Sequence, residues 1–207
     1  MSSWSHWSAR YAFDRFRLSV FEWRNPDAPW LTPVAIAAIQ AWLRPHHVAL
    51  EYGSGRSTLW IARRVARLTS VEHDPKWHTK ITVQLKEKGV ANVTQILRDA
   101  QSDAYLDPIL ELPESSLDFA LIDGLSDRRD VCAVAVLDKL KPGSMLVIDD
   151  SHRYLSYATR APLALGPNRD PLTETWRQFD SVTQEWPRTL TSSGVTDTLM
   201  LHRPDPA

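Results

Sequence analysis

The amino-acid sequence predicts an α/β fold: a seven-stranded, mostly parallel sheet with helices on both faces and a C-terminal antiparallel hairpin. Three observations carry this. From His47 onward, five short aliphatic runs alternate with segments of helical pattern, and such alternation implies right-handed crossovers between parallel strands. The runs are nearly continuous in apolar residues, as expected of strands covered on both faces. Two later runs are joined around Ser193-Gly194, the spacing of a hairpin at one sheet edge.

In chain order, Trp4 to Trp30 is dense in aromatics and arginines and turns at Asn25-Pro-Asp-Ala-Pro. Leu31-Thr-Pro-Val-Ala-Ile-Ala-Ala-Ile follows with helical spacing, Thr32 as its cap and Pro33 as its first helical residue, and ends before Pro45. Strands are expected at His47–Tyr52, Leu68–Glu72, Val93–Leu97, Leu117–Asp123 and Ser144–Asp149, each short, aliphatic and bounded by turn or charged residues. Helices are expected at Ser57–Ala66, Lys76–Lys88 and Arg128–Leu140. Pro187–Ser192 and Thr196–Arg203 supply the last two strands. The 207 residues fit a single domain. It divides into an aromatic helical extension (1–45), the alternating core (46–150) and a final region (151–207).

Composition narrows the function classes. With 24 Lys+Arg against 25 Asp+Glu the formal charge is −1, so no global field draws the chain to nucleic acid or to an anionic membrane, and neither partner is expected. Cys132 is the only cysteine, which excludes a disulfide framework and a multi-cysteine zinc site and fits a reducing cytoplasm. No apolar run reaches the roughly 20 residues that span a bilayer, and Met1-Ser-Ser-Trp-Ser-His-Trp-Ser has no apolar signal-peptide core. Asp14 and Glu22 interrupt the basic character of the N-terminal segment. Docking on the core, as a lid over a pocket, or on a second copy in a homodimer is therefore expected of it rather than membrane association. Arg63, Arg64 and Arg67 read as a solvated helix face without the interleaved aromatics of an RNA surface.

The most informative stretch is Val48-Ala-Leu-Glu-Tyr-Gly-Ser-Gly-Arg-Ser-Thr. It runs from a strand through a Gly-x-Gly turn into a helix, where backbone can approach a ligand closely. Glu51 sits at the strand end beside it. The second strand ends in Val71-Glu-His-Asp-Pro, with Glu72 placed to accept hydrogen bonds from a ribose and Asp74 placed to cap the next helix. The third strand leads to Arg98-Asp-Ala, and the fourth ends in Ile122-Asp-Gly. Four successive strand ends thus carry acids, at the sheet edge where α/β folds bind ligands.

With these motifs in this order, the chain resembles the class I S-adenosylmethionine-dependent methyltransferases over about Val48 to Asp150. The resemblance implies a Rossmann-like sheet whose core binds S-adenosylmethionine. Glu51, Gly53, Ser54 and Gly55 correspond to the family's acidic Gly-rich loop, Glu51 on the ammonium side of the methionine moiety, with Ser57 and Thr58 opening the next helix. Glu72 corresponds to the ribose acid, His73 lies beside it, and Asp99-Ala100 matches the segment that meets the adenine. Asp123 matches the acid ending strand four, and Lys141-Pro-Gly-Ser resembles the turn into strand five.

Ile122-Asp-Gly-Leu lacks the Pro-Pro-Tyr of amino methylases, so the resemblance implies a small-molecule acceptor methylated on a hydroxyl oxygen. Asp123 with Asp149 and Asp150 also resembles the metal triad of catechol-type and macrocin-type O-methyltransferases. Their hard oxygens would suit Mg²⁺; the alternative is that Asp123 and Asp149 contact only cofactor or cap helices. His152, directly after the acid pair, is a candidate base alongside Asp123 and Asp149. Arg153, Tyr154 and Tyr157 are candidate walls of an acceptor pocket, although the two tyrosines equally suit packing on one helix face. Two other functions stay open: a nicotinamide-dependent oxidoreductase on a similar sheet, disfavoured by Thr58 at the third glycine position of the dinucleotide fingerprint, and an S-adenosylmethionine-binding module without turnover.

Overall fold

Local chemistry sets the helix starts. In the computed structural model, which describes residues 8–205, α1 (Ala9–Arg24) begins at Ser8, whose hydroxyl accepts from the Tyr11 N–H at 3.1 Å. Thr32 caps α2 (Pro33–Trp42) in the same way, with Pro33 in its first turn. The core then alternates: β1 (Val48–Tyr52), α3 (Arg56–Ala62), β2 (Arg67–Glu72), α4 (Pro75–Glu87), β3 (Val93–Leu97), the short α5 (Asp107–Leu110), β4 (Leu117–Ile122), α6 (Arg129–Ala135) and β5 (Leu140–Asp149). After a long connection come α7 (Glu174–Val182), β6 (Arg188–Ser192) and β7 (Asp197–His202). The chain start and the Trp4–Trp7 part of the aromatic segment lie outside the described residues.

The seven strands form one sheet in the order β3-β2-β1-β4-β5-β7-β6. β1 to β5 are parallel, while β7 runs antiparallel to both β5 and β6. The order reverses between β1 and β4, so α3 and α6 leave toward opposite faces and a crevice opens beyond the carboxyl ends of those two strands. Alternate residues of each central strand feed two apolar layers. Phe119 and Leu121 pack with Ile36, Ile39 and Trp60 on one face, and Ala120 and Ile122 with Trp176 and Phe179 on the other. This two-sided burial is why the runs read as continuously apolar.

Several boundaries differ from the sequence expectation. α3 ends at Ala62 rather than Ala66, because Asn92 Nδ2 donates to the carbonyls of Ala62 and Val65 at 2.8 and 2.9 Å and closes the helix from a distant loop. Arg63, Arg64 and Arg67 therefore do not share a helical face. Arg64 lies over the Trp60 ring at 4.0 Å, and Arg63 faces Asp27 at 3.6 Å. β5 starts at Leu140, bending through Pro142 and Gly143 where its register against β4 shifts. Tyr154 and Tyr157 are not on a helix, since only a single turn, Ser151–Arg153, follows the left-handed residue Asp150.

α1 buries only Leu18 fully and exposes Phe13, Phe16 and Trp23. Its Asp14 rests against Gly194 in the β6–β7 turn and faces Arg160 at 3.6 Å. It thus docks on the hairpin rather than over the crevice, and among the described N-terminal residues it is Trp30 that reaches the crevice. Among the described residues no helix is long and apolar enough to cross a membrane.

Candidate active site

The two glycines of the first turn do different work. Gly53 has φ +96°, and a Cβ there would meet Asp123 O at 2.6 Å and Gly124 N at 2.9 Å. Its own N–H donates to Val71 O at 2.9 Å. Gly53 is therefore wedged between the ends of β2 and β4, where no side chain fits. Gly55 is extended, and the nearest atom to a Cβ there is Ser57 Oγ at 3.7 Å. Just before the turn, Glu51 is wholly buried. Its Oε2 accepts from Thr58 Oγ1 at 2.6 Å and Ser70 Oγ at 2.7 Å, while Oε1 has no hydrogen-bond partner among the described residues. Burial pushes this carboxyl up to about 7, against the relief its hydroxyl neighbours give. Thr58 closes the motif by accepting from the Gly55 N–H at 2.8 Å.

Glu72 ends β2 with both oxygens in use. Oε2 accepts from the Ser54 N–H at 2.9 Å, and Oε1 accepts from the N–H groups of His73 and Asp74 at 2.8 Å each. The His73 ring nitrogen Nδ1 lies 3.0 Å from the same oxygen. Asp74 caps α4 through the amides of Lys76 and Trp77, the role its place before Pro75 suggested. In the crevice above is a cavity of about 440 Å³, of ordinary small-molecule size. Of the predicted cofactor residues, Gly53, Ser54, Gly55, Ser57, Glu72, His73 and Asp123 line it. Glu51 and Thr58 stand behind the loop. Asp99 and Ala100 are not brought to the cavity: the Asp99 carboxylate accepts from the Gln101 N–H at 3.0 Å and Ala100 is buried in the core.

Two cavity walls had gone unpredicted. Trp30, with the Arg56 guanidinium 5.2 Å from its ring centroid, forms one side, and Trp77, whose indole N–H donates to Ser54 O, forms another. Trp77 had a local signal, since it stands one turn into the helix that follows the ribose acid. Trp30 is the end of the aromatic segment expected as a lid, but no local pattern singled it out, because chain folding carries its turn to the crevice.

At the ends of β4 and β5, three aspartates surround an arginine. Arg129, 8% exposed, donates from Nε to Gly124 O at 2.8 Å, from Nη1 to Asp149 O at 2.8 Å and from Nη2 to Asp123 Oδ1 at 2.7 Å. Burial raises the Asp123 carboxyl to about 6, with Arg129 opposing the shift. Asp149 is raised further by burial and by the charges of Asp123 and Asp150. The carboxyls are also turned toward β7 and the preceding turn, Asp149 Oδ1 accepting from Thr198 Oγ1 at 3.1 Å and Asp150 Oδ1 from Thr196 Oγ1 at 2.6 Å. Among the described residues no group of three His, Cys, Asp or Glu side chains is arranged to hold a metal ion. The expected Mg²⁺ triad of Asp123, Asp149 and Asp150 is thus corrected: a guanidinium occupies the position between the two strand ends.

His152 also departs from expectation. It is 1% exposed and does not line the cavity. Its Nε2 lies 3.2 Å from Pro162 O, and because a carbonyl only accepts, Nε2 carries the proton and leaves a bare, buried Nδ1. Burial lowers its pKa. Tyr154 is stacked on Trp176 at 5.2 Å rather than facing an open acceptor pocket.

Residues 50–151 match the model of a methyltransferase domain family. None of the curated proteins matches the sequence. Solved structures similar in fold include a Corynebacterium glutamicum protein at 15% identity, covering 97% of this chain and 92% of that one with a TM-score of 0.62. The O-methyltransferase TomG of Streptomyces achromogenes, involved in tomaymycin synthesis and solved with S-adenosylmethionine, is 18% identical over 98% of this chain and all of its own, with a TM-score of 0.60. An rRNA methylase of Streptococcus thermophilus is 14% identical over 86% of this chain and all of its own, with a TM-score of 0.58. The oxidoreductase reading gives way to the methyltransferase domain match. Motif order, strand order and domain match agree: residues 50–151 form a methyltransferase domain, and the sheet is that of the Rossmann-like class I methyltransferase fold.

Proposed function

We propose that the enzyme methylates a hydroxyl oxygen of a small molecule and that Asp123 takes the hydroxyl proton. The observation that carries this reading is the place of Asp123: it lines the cavity at the β4 end, with a carboxyl raised by burial to about 6, close to the value at which a general base works well near neutral pH. The other lining acids are committed, Glu72 to three backbone amides and Asp74 to two. A 440 Å³ cavity in a chain of formal charge −1 favours a small acceptor over nucleic acid. TomG is an O-methyltransferase, which supports an oxygen acceptor, whereas the rRNA methylase shows that this fold does not itself choose one.

The residues present fit S-adenosylmethionine. The buried, unpartnered Oε1 of Glu51 calls for a cation such as the amino-acid ammonium, the Ser54–Gly55 backbone borders the open cavity, and Glu72 stands at its edge for the ribose. Bound S-adenosylmethionine supplies an electrophilic methyl group on a sulfonium sulfur. Asp123 accepts the acceptor proton as the oxygen–methyl bond forms and the carbon–sulfur bond breaks, its electron pair going to sulfur. Trp30 and Trp77 flank the cavity. No step passes through a metal.

The test is a panel of phenols, catechols, sugar alcohols, amines and RNA incubated with S-adenosylmethionine, with products identified by mass spectrometry. Methyl ethers are expected, and turnover confined to amines or RNA would overturn the reading. Asp123→Asn should lower the rate by roughly 10²–10⁴-fold while S-adenosylhomocysteine still binds. The wild-type rate should rise through about pH 6 to a plateau as Asp123 ionises.

A further inference from the structure

We propose that Arg129 is a built-in cation that takes the place of a divalent ion, completing the Asp123, Asp149 and Asp150 cluster and closing it to metals. A divalent ion in this fold position would bridge the ends of β4 and β5, and Arg129 bridges those same ends. Its guanidinium binds Asp123 Oδ1 at 2.7 Å and Asp123 O at 3.2 Å on one side, and Asp149 O at 2.8 Å on the other. Asp150 Oδ2 lies 4.0 Å from Nη1, and the Tyr154 ring centroid 6.0 Å from the guanidinium carbon. Mg²⁺ requires oxygens drawn in to about 2.0–2.1 Å in octahedral array. A planar fork instead accepts partners near 2.8 Å spread over its edge, which is the arrangement seen. The carboxyl oxygens a metal would need are also partly spoken for, Asp149 by Thr198 and Asp150 by Thr196. A second guanidinium, Arg153, lies outside the cluster with its Nε 3.5 Å from Asp150 Oδ2.

Arg129 is a positioning residue: it acts on the cavity through Asp123 and the Gly124 carbonyl. Because the cation is covalently part of α6, it needs no loading and does not vary with divalent concentration. The inference concerns ion binding, so it stands or falls separately from the identity of the acceptor.

The experiment titrates Mn²⁺ into the ligand-free enzyme, reading free Mn²⁺ by electron paramagnetic resonance and stability by thermal melting. Wild type, Arg129→Lys and Arg129→Met are compared, with S-adenosylhomocysteine titrated separately in EDTA. Wild type is expected to take up no stoichiometric Mn²⁺ at millimolar concentration and to bind S-adenosylhomocysteine equally with and without EDTA. Arg129→Met, which uncovers the carboxyl cluster, should bind Mn²⁺ at least about tenfold tighter than wild type, and Arg129→Lys should restore much of the wild-type refusal. Uptake of one Mn²⁺ by wild type, with EDTA lowering its melting temperature, would overturn the proposal, as would an Arg129→Met variant that folds yet gains no affinity. If Arg129→Met does not fold, the wild-type titration alone decides. Loss of S-adenosylhomocysteine binding in wild type would instead strike at the cofactor assignment and leave the ion result intact.

Discussion

The carboxyl ends of β1 and β2 and those of β4 and β5 both carry acids into one crevice, yet they solve the cost of burying them in opposite ways. Glu51 and Glu72 are met by groups near in sequence or on the next strand, hydroxyls of Thr58 and Ser70 and amides of Ser54, His73 and Asp74, with only Oε1 of Glu51 left bare among the described residues. Asp123 and Asp150 instead face the guanidinium of Arg129 on another element, which also takes the Asp149 carbonyl, while the Asp149 carboxyl accepts from Thr198. A buried carboxylate needs hydrogen bonds or a countercharge. Hydroxyls and amides serve the separate acids of the first half and leave Glu51 raised by burial, whereas the clustered aspartates of the second have a guanidinium among them. The first half is consequently a preformed cradle with room beside it, and the second a wall built around a guanidinium, with Asp123 at its cavity edge.

The largest effect that would sharpen this contrast is at the hinge joining the two halves. Gly53→Val places a branched side chain at φ +96° against the backbone of Asp123 and Gly124. Left-handed strain and overpacking together should cost about 3–5 kcal/mol in urea denaturation. In the same loop, Gly55→Ala should cost less than about 1 kcal/mol, since it meets only Ser57 Oγ at 3.7 Å. Equal losses would mean the loop is not pinned at Gly53.

Next comes pH. Glu51, raised from 4.5 to about 7, holds more protons folded than unfolded across that window. Stability of the ligand-free enzyme should therefore fall as pH rises from about 4.5 to 7, by about 3 kcal/mol from this group, and be at its full value below that window. Glu51→Gln should flatten the slope in denaturation curves taken across the range. An unchanged slope would show that dipoles do not leave this acid strained as described.

The smallest expected effect is in affinity. Glu72→Ala removes the acceptor for three amides and, on the proposed reading, for the ribose, and should weaken S-adenosylhomocysteine about tenfold or more by calorimetry, roughly 1.4 kcal/mol. A folded variant with wild-type affinity would take Glu72 out of the cofactor site.

Sequence alone determined what short-range rules govern. Strand runs, the Thr32 and Asp74 caps, the Gly-x-Gly turn and the order of strand-end acids were legible because periodicity, capping and turn geometry are properties of a few neighbouring residues. What only the tertiary structure decided was which distant group meets each of them. Asn92 ends α3, Trp30 walls the cavity, the Pro162 carbonyl meets the imidazole of His152, and Arg129 stands where a metal was expected. A row of aspartates in sequence has the same composition whether it awaits an ion or an arginine. Coulomb energy depends on distance in space, and only the folded chain sets that distance.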